Sequence, residues 1–149
     1  QGDDGMTGRG RDTAIRIKLQ EMTESVDMVK EHLPDSADLF VRLGIVKDGI
    51  YKRIEYAIED AFDICAILNA DLHIGVPGTD EDILENLVQH EVLTPAMRQN
   101  LKAMKGFRNI LVHRYGAIDD ALAFSILKEH IDDFSLFRRE VERFLQSVA

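Results

Sequence analysis

The sequence predicts an all-α fold, an antiparallel bundle of four to five helices. Three observations carry this. Apolar residues recur at alternating three- and four-residue steps along most of the chain, the period of a helix with one buried face. No stretch shows the strict two-residue alternation of a half-buried strand. Only three prolines interrupt the 149 residues, and two of these stand where helices are expected to stop or start.

Taken in order, residues 1–11 ("QGDDGMTGRGR") are Gly-rich, polar and unpatterned, and are expected to be a disordered or expression-derived tail, with Met6 a candidate natural start. Residues 12–149 are expected to form a single helical domain. Ile15, Leu19, Met22, Val26, Val29 and Leu33 make one apolar stripe that ends at Pro34. A second helical region opens near Asp35–Ser36, with a weak point at Asp48–Gly49. Beyond it Ile50, Ile54, Ala57, Ile58, Ala61, Ile64, Cys65 and Leu68 keep one face apolar. "GVPGT" reads as a turn, and Thr79 with Asp82 as a capping box for a short helix to about His90. Thr94–Pro95 is an N-cap and first-position pair for the next helix, with Gly116 as its expected terminator. Asp119 or Asp120 opens the last helix. Leu127, Ile131, Phe134, Phe137, Val141, Phe144 and Val148 are expected to face inward along it.

Composition narrows the function. At 45% hydrophobic and 30% charged residues the chain suits a folded domain with one core. No apolar run approaches the ~18 residues of a membrane span, and no apolar leader opens the sequence, which predicts a cytoplasmic address. Cys65 is a lone cysteine among apolar neighbours, read as a buried thiol in a reducing compartment. A net charge of -9 argues against a general nucleic-acid binder, but the charge is segregated. From Val92 to Ile118 there is no acidic residue, while Arg98, Lys102, Lys105, Arg108 and Arg114 are present. That segment is +5 against -14 for the remainder. It is either a local positive field on an acidic body or a basic face answering acidic neighbours.

The five histidines are scattered without the spacing of a zinc site, and there is no phosphate-cradling glycine loop or nucleophile elbow. Neither a metal nor a nucleotide cofactor is expected to be built in. Glu55, Glu59 and Asp63 form an acidic i, i+4, i+8 stripe, read as a solvated or subunit-contact face.

The informative stretch is "KGFRNILVHRYG", Lys105 to Gly116. At about 100° per residue, Phe107, Ile110 and Leu111 share the core face, and Asn109 and His113 lie side by side. Arg114 would fall among the core residues, where an unpaired guanidinium is costly, so the helix is expected to loosen there. The residue types suit RNA cleavage without metal. A histidine serves as base or acid near neutrality, arginine matches a phosphate bidentately, and asparagine orients the imidazole or donates to the phosphate. One histidine cannot easily be both base and acid, and a two-fold dimer would supply two. A buried Arg–Tyr–His network that only joins helices is the alternative.

The run Arg108-Asn109-Ile110-Leu111-Val112-His113-Arg114-Tyr115 resembles the R-x4-H-x-Y motif of HEPN-domain proteins, and closely that of the HepT toxin subfamily. "RIEYAIEDAFDICAIL" (Arg53 to Leu68) resembles that subfamily's second core helix, and the likeness spans roughly residues 12–145. The resemblance implies a HEPN bundle dimerised about a two-fold axis, with the motif near the cleft between subunits. It implies a toxin, usually a metal-independent ribonuclease, paired with an MNT-type nucleotidyltransferase antitoxin that attaches AMP to the motif tyrosine, here Tyr115. Arg108 and His113 would carry catalysis with Asn109 in support. Arg98, Lys102 and Lys105, on one helix face, would steer RNA toward Arg108, with Arg114 beside them. The alternative from another class is a non-enzymatic helical module that docks a nucleotidyltransferase or presents a substrate to it.

Overall fold

In a computed structural model describing residues 8–73 and 78–149, the chain is helical throughout and has no strand among the described residues. The elements are α1 (Gly8–His32), α2 (Ala37–Val41), α3 (Ile45–Asp71), α4 (Asp80–Gln89), α5 (Pro95–His113), a 3₁₀ turn (Tyr115–Ala117), α6 (Asp120–His130) and α7 (Asp133–Ser147). The four long helices α1, α3, α5 and α7 carry the expected stripes. Ile15, Leu19, Met22, Val26 and Val29 of α1 are buried, as are Ile50, Ile54, Ala57, Ile58, Ala61, Ile64, Cys65 and Leu68 of α3. These stripes meet in one hydrophobic cluster with the inner faces of α5 and α7.

α1 and α3 form an antiparallel hairpin. Arg11 near the start of α1 pairs with Asp71 at the end of α3, and Lys18 lies 3.2 Å from Asp63 and 3.9 Å from Asp60. Part of the acidic stripe on α3 therefore answers a lysine on α1. Asp60 bears the cost: burial, then the nearby Glu21, push its carboxyl up to about 6 against the pull of Lys18. The short α2, capped by Ser36, inserts Phe40 between Tyr51 of α3 and Phe124 of α6, with ring centroids 5.7 and 5.4 Å away.

Three boundaries and one burial pattern differ from the sequence reading. α1 begins by Gly8, so the helix takes in part of the expected tail; residues 1–7 lie outside the described residues, as do 74–77 of the "GVPGT" turn. The break before α3 falls at Gly44 and not at Asp48–Gly49. Gly44 has φ 63°, a conformation costly for a residue with a Cβ, whereas Gly49 continues the helix with open space around it. The last helical region is two helices. The chain turns at Ile131–Asp132, where the His130 imidazole pairs with Asp133 at 2.8 Å, without a glycine or proline to mark it. Among the described residues the short helices are thus three, α2, α4 and α6, where one or two were expected. Finally, the expected stripe holds through Leu127, Ile131, Phe134, Phe137 and Val141, but Leu145 takes the next inward position and Val148, at the cap where α7 ends, is 63% exposed.

This burial predicts a contrast between the middle of α7 and its C-terminal cap. Phe137→Ala, at a fully buried site, is expected to cost about 3–5 kcal/mol of unfolding free energy in urea melts. Val148→Ala is expected to stay within about 0.5 kcal/mol.

Candidate active site

The site is built on α5. Thr94 caps the helix by accepting from the Met97 N–H at 3.1 Å, and Pro95 occupies the first position. Glu140 of α7 accepts from both the Thr94 N–H and hydroxyl at 2.9 Å, tying the start of α5 to the bundle. Met97, Leu101, Met104, Phe107 and Leu111 then face the core. This fixes the rotation of the helix and leaves Lys102, Gly106, Asn109 and His113 on one exposed stripe.

Arg108 lies at the edge between the two faces. It is half-buried, its Nη2 donates to Asn109 Oδ1 at 3.3 Å, and its buried Nε has no partner among the described residues. Across from it on α3 is Glu59. Burial, then Glu55, raise the Glu59 carboxyl, while the Arg108 guanidinium pulls it back. Arg108, Asn109 and His113 are thus brought together on two turns of one helix, the first two in direct contact and His113 exposed one turn on.

The helix ends where the sequence required it. Arg114 leaves helical geometry at φ -128°, ψ 28°, and its side chain is exposed instead of entering the core. Its N–H still bonds to the Ile110 carbonyl at 2.9 Å, and the chain continues through the 3₁₀ turn, where Ala117 bonds back to Arg114 at 2.8 Å. Gly116 lies within this turn without a positive φ, so the helix stops before it and not by means of it.

This ending moves Tyr115 away from the position an unbroken helix would assign. Instead of returning beside Arg108, its ring stands edge-on to Tyr51 of α3, with centroids 6.4 Å apart and planes at 85°. Tyr51 and Glu59 are eight residues apart on α3, so the tyrosine and the arginine are separated by roughly 12 Å of helix rise. Tyr115 is half-exposed, and hydrogen bonding to Asp48, then burial, push its phenol up to about 12. Behind it, Asp120 at the start of α6 accepts from Tyr51 Oη and Lys47 Nζ, each at 2.6 Å. Burial raises the Asp120 carboxyl, but these two bonds outweigh it and hold the group below its ordinary value.

The basic residues divide. Arg98 pairs with Glu85, and Lys105 lies 3.5 Å from Asp80 and 3.3 Å from Glu81, all on α4. For these two, the basic face does answer acidic neighbours. Lys102 and Arg114 are exposed and form no ion pair among the described residues. No group of three or more His, Cys, Asp or Glu side chains among the described residues is placed to hold a metal ion, and no described helix is long and apolar enough to cross a membrane.

Residues 22–141 match the family described as Ribonuclease HepT-like. The chain belongs to that family. Over 92 residues it is 28% identical to the mRNA nuclease HepT of Shewanella oneidensis, covering 62% of this chain and 69% of the relative. It is 25% identical over 92 residues to the tRNA nuclease HepT of Aphanizomenon flos-aquae, with 62% of this chain and 63% of the relative covered. Its fold matches that of a tri-AMPylated Shewanella oneidensis HEPN toxin solved in complex with an MNT antitoxin. The TM-score is 0.77 at 22% identity, over 87% of this chain and 96% of that one. The HEPN bundle and the HepT-like assignment expected from the motif are therefore both borne out.

Within this HepT-like bundle, sequence reasoning missed the residues around Tyr115: Lys47, Asp48, Tyr51 and Asp120. Asp48 and Tyr51 are i, i+3 on α3, a spacing visible in the sequence but hidden by the expected break at Asp48–Gly49.

The Asp120 cluster predicts a pH-dependent contribution. A carboxyl held low in the folded state stabilises fully above its ordinary value of 3.8 and loses that contribution as pH falls through the lowered one. Asp120→Asn should cost about 1.5–3 kcal/mol at neutral pH, shrinking in acid, as read by thermal melts at several pH values.

Proposed function

We propose that this HepT-like chain is a ribonuclease toxin that cuts RNA without metal, using Arg108, Asn109 and His113. The observation that carries this reading is the placement of those three side chains on two turns of α5, Asn109 and His113 exposed and the Arg108 Nε buried with no partner among the described residues. His113 takes the proton of a ribose 2′-hydroxyl or gives one to the leaving oxygen. Arg108 neutralises the phosphorane charge, and Asn109 holds the guanidinium in place. Lys102 and Arg114 are free to meet the RNA backbone, and Arg98 and Lys105 join them on exchanging their α4 carboxylates for phosphate. The names of the related nucleases, one acting on mRNA and one on tRNA, support the substrate class. At about pH 7, mutation of His113 to Ala should lower the rate of RNA cleavage in chelator by roughly 10²–10⁴-fold, with helicity unchanged. Equal cleavage by wild type and variant would remove His113 from the reaction.

Acid and base roles call for two histidines, and a homodimer supplies them. Beside the motif, an apolar cavity of about 280 Å³ lined by Ile54, Phe107, Ile110, Ile126 and Phe134 gives a surface for pairing. Sedimentation at micromolar concentration should return twice the chain mass; a monomer that still cleaves RNA would rule the shared site out.

The partner is an MNT-type nucleotidyltransferase antitoxin that silences the toxin by adding AMP to Tyr115. The solved complex of an AMPylated HEPN toxin with an MNT antitoxin supports this reading, as does the exposure of the Tyr115 ring.

A further inference from the structure

A tyrosine that accepts AMP must lose its phenolic proton, and the surroundings of Tyr115 make that loss difficult without help. A phenol at about 12 is ionised in only about one molecule in 10⁵ at pH 7. The groups facing it are known. Asp120 is committed, accepting from Lys47 on one oxygen and Tyr51 on the other. Glu55, which lines the same open pocket, is held by Lys52 at 3.1 Å. Tyr51 presents its ring edge and spends its hydroxyl on Asp120. Asp48 remains. It lines the pocket with Tyr115, sits one turn before Tyr51 on α3, and forms no ion pair among the described residues.

We propose that Asp48 is the general base for modification of Tyr115, a catalytic residue supplied by the toxin to the enzyme that silences it. This rests on the reading that Tyr115 is AMPylated. Asp48 and Tyr115 line one open pocket on the side where Tyr115 stands edge-on to Tyr51, which places the carboxylate to take the hydrogen of the phenol while the ring stays half-exposed. A nucleotidyltransferase presents ATP there. As Tyr115 Oη bonds to the α-phosphorus, the bond from that phosphorus to the β-phosphate oxygen breaks. Pyrophosphate leaves with the electron pair, and the phenolic proton passes to Asp48. The other side-chain donors of the pocket are already satisfied, Tyr51 by Asp120 and Lys52 by Glu55, which leaves Asp48 to Tyr115. The same carboxylate that suppresses spontaneous ionisation thus becomes the proton's destination during transfer, so the tyrosine reacts on contact with the antitoxin and not otherwise.

The test uses the full chain with its cognate nucleotidyltransferase, ATP and magnesium, following AMP on Tyr115 by intact mass in single turnover. Asp48→Asn should slow the addition at about pH 7 by at least 10²-fold, the usual worth of a general base. The deficit should narrow as pH rises toward the ionisation of the phenol. Asp48→Glu, which restores a carboxylate, should recover at least tenfold, separating lost chemistry from lost folding. Independently of any transferase, the ¹³Cζ resonance of Tyr115 should show its ionisation falling from about 12 toward the ordinary 10 in Asp48→Asn. Addition at the wild-type rate with an unchanged pH profile overturns the proposal. A wild-type chain that takes no AMP on Tyr115 overturns the silencing reading and this proposal with it. In that case a resonance still moved by Asp48→Asn shows that the pairing was present and the modification was not.

Discussion

The packing of α5 against α3 is the constraint on which the site depends. Ile54 and Ile58 of α3 and Phe107 and Leu111 of α5 are buried in one hydrophobic cluster, and the two helices run in opposite directions, with Tyr51 near Tyr115 and Glu59 near Arg108. Burial of side chains of this size contributes roughly 1.5–3 kcal/mol each, far more than any exposed polar contact nearby. This packing therefore sets the rotation and register of α5, and the polar residues take the positions left to them. Arg108 falls opposite Glu59, Asn109 and His113 face outward, and the chain beyond His113 arrives over Tyr51 and Asp48. Moving one helix by a turn would separate every one of these pairs.

The end of α5 is a second consequence of the same packing. Continuing the helix would have carried the Arg114 guanidinium into the core face, where burying an unpaired charge is costly. Leaving helical geometry at Arg114 costs little, since the Ile110 carbonyl still finds its donor and the 3₁₀ turn closes on the Arg114 carbonyl. The result divides the motif between two environments. Arg108, Asn109 and His113 stay on the helix itself. Tyr115 hangs on a short turn, half-exposed, where another protein can reach it.

Charge is arranged on a similar principle. The acid-free segment does not stand as an isolated positive patch, because α4 lays Asp80, Glu81 and Glu85 against Lys105 and Arg98. Exposed pairs of this kind contribute little stability and exchange readily, so they hold the two cations without consuming them. Lys102 lies on the same outward stripe as Asn109 and His113, and this is the polarity a polyanion entering along α5 would meet.

Much of this was legible in the sequence, and the reason is local. Helical period, the Thr94–Pro95 and Thr79–Asp82 caps, and the crowding of Arg114 against the core face all follow from residues within a few positions of one another. So the helical class, the four long elements, the motif's placement on a helix end and the family likeness could be read directly. The breaks at Gly44 and Ile131–Asp132 could not. A glycine at 49 looks as disruptive as one at 44 until φ is known, and the Asp132 turn carries no breaker at all. The position of Tyr115 was likewise decided only by tertiary structure. Residues 48, 51, 115 and 120 are joined by helix packing over more than sixty positions of chain, and no period in a single strand of sequence encodes which helix lies against which.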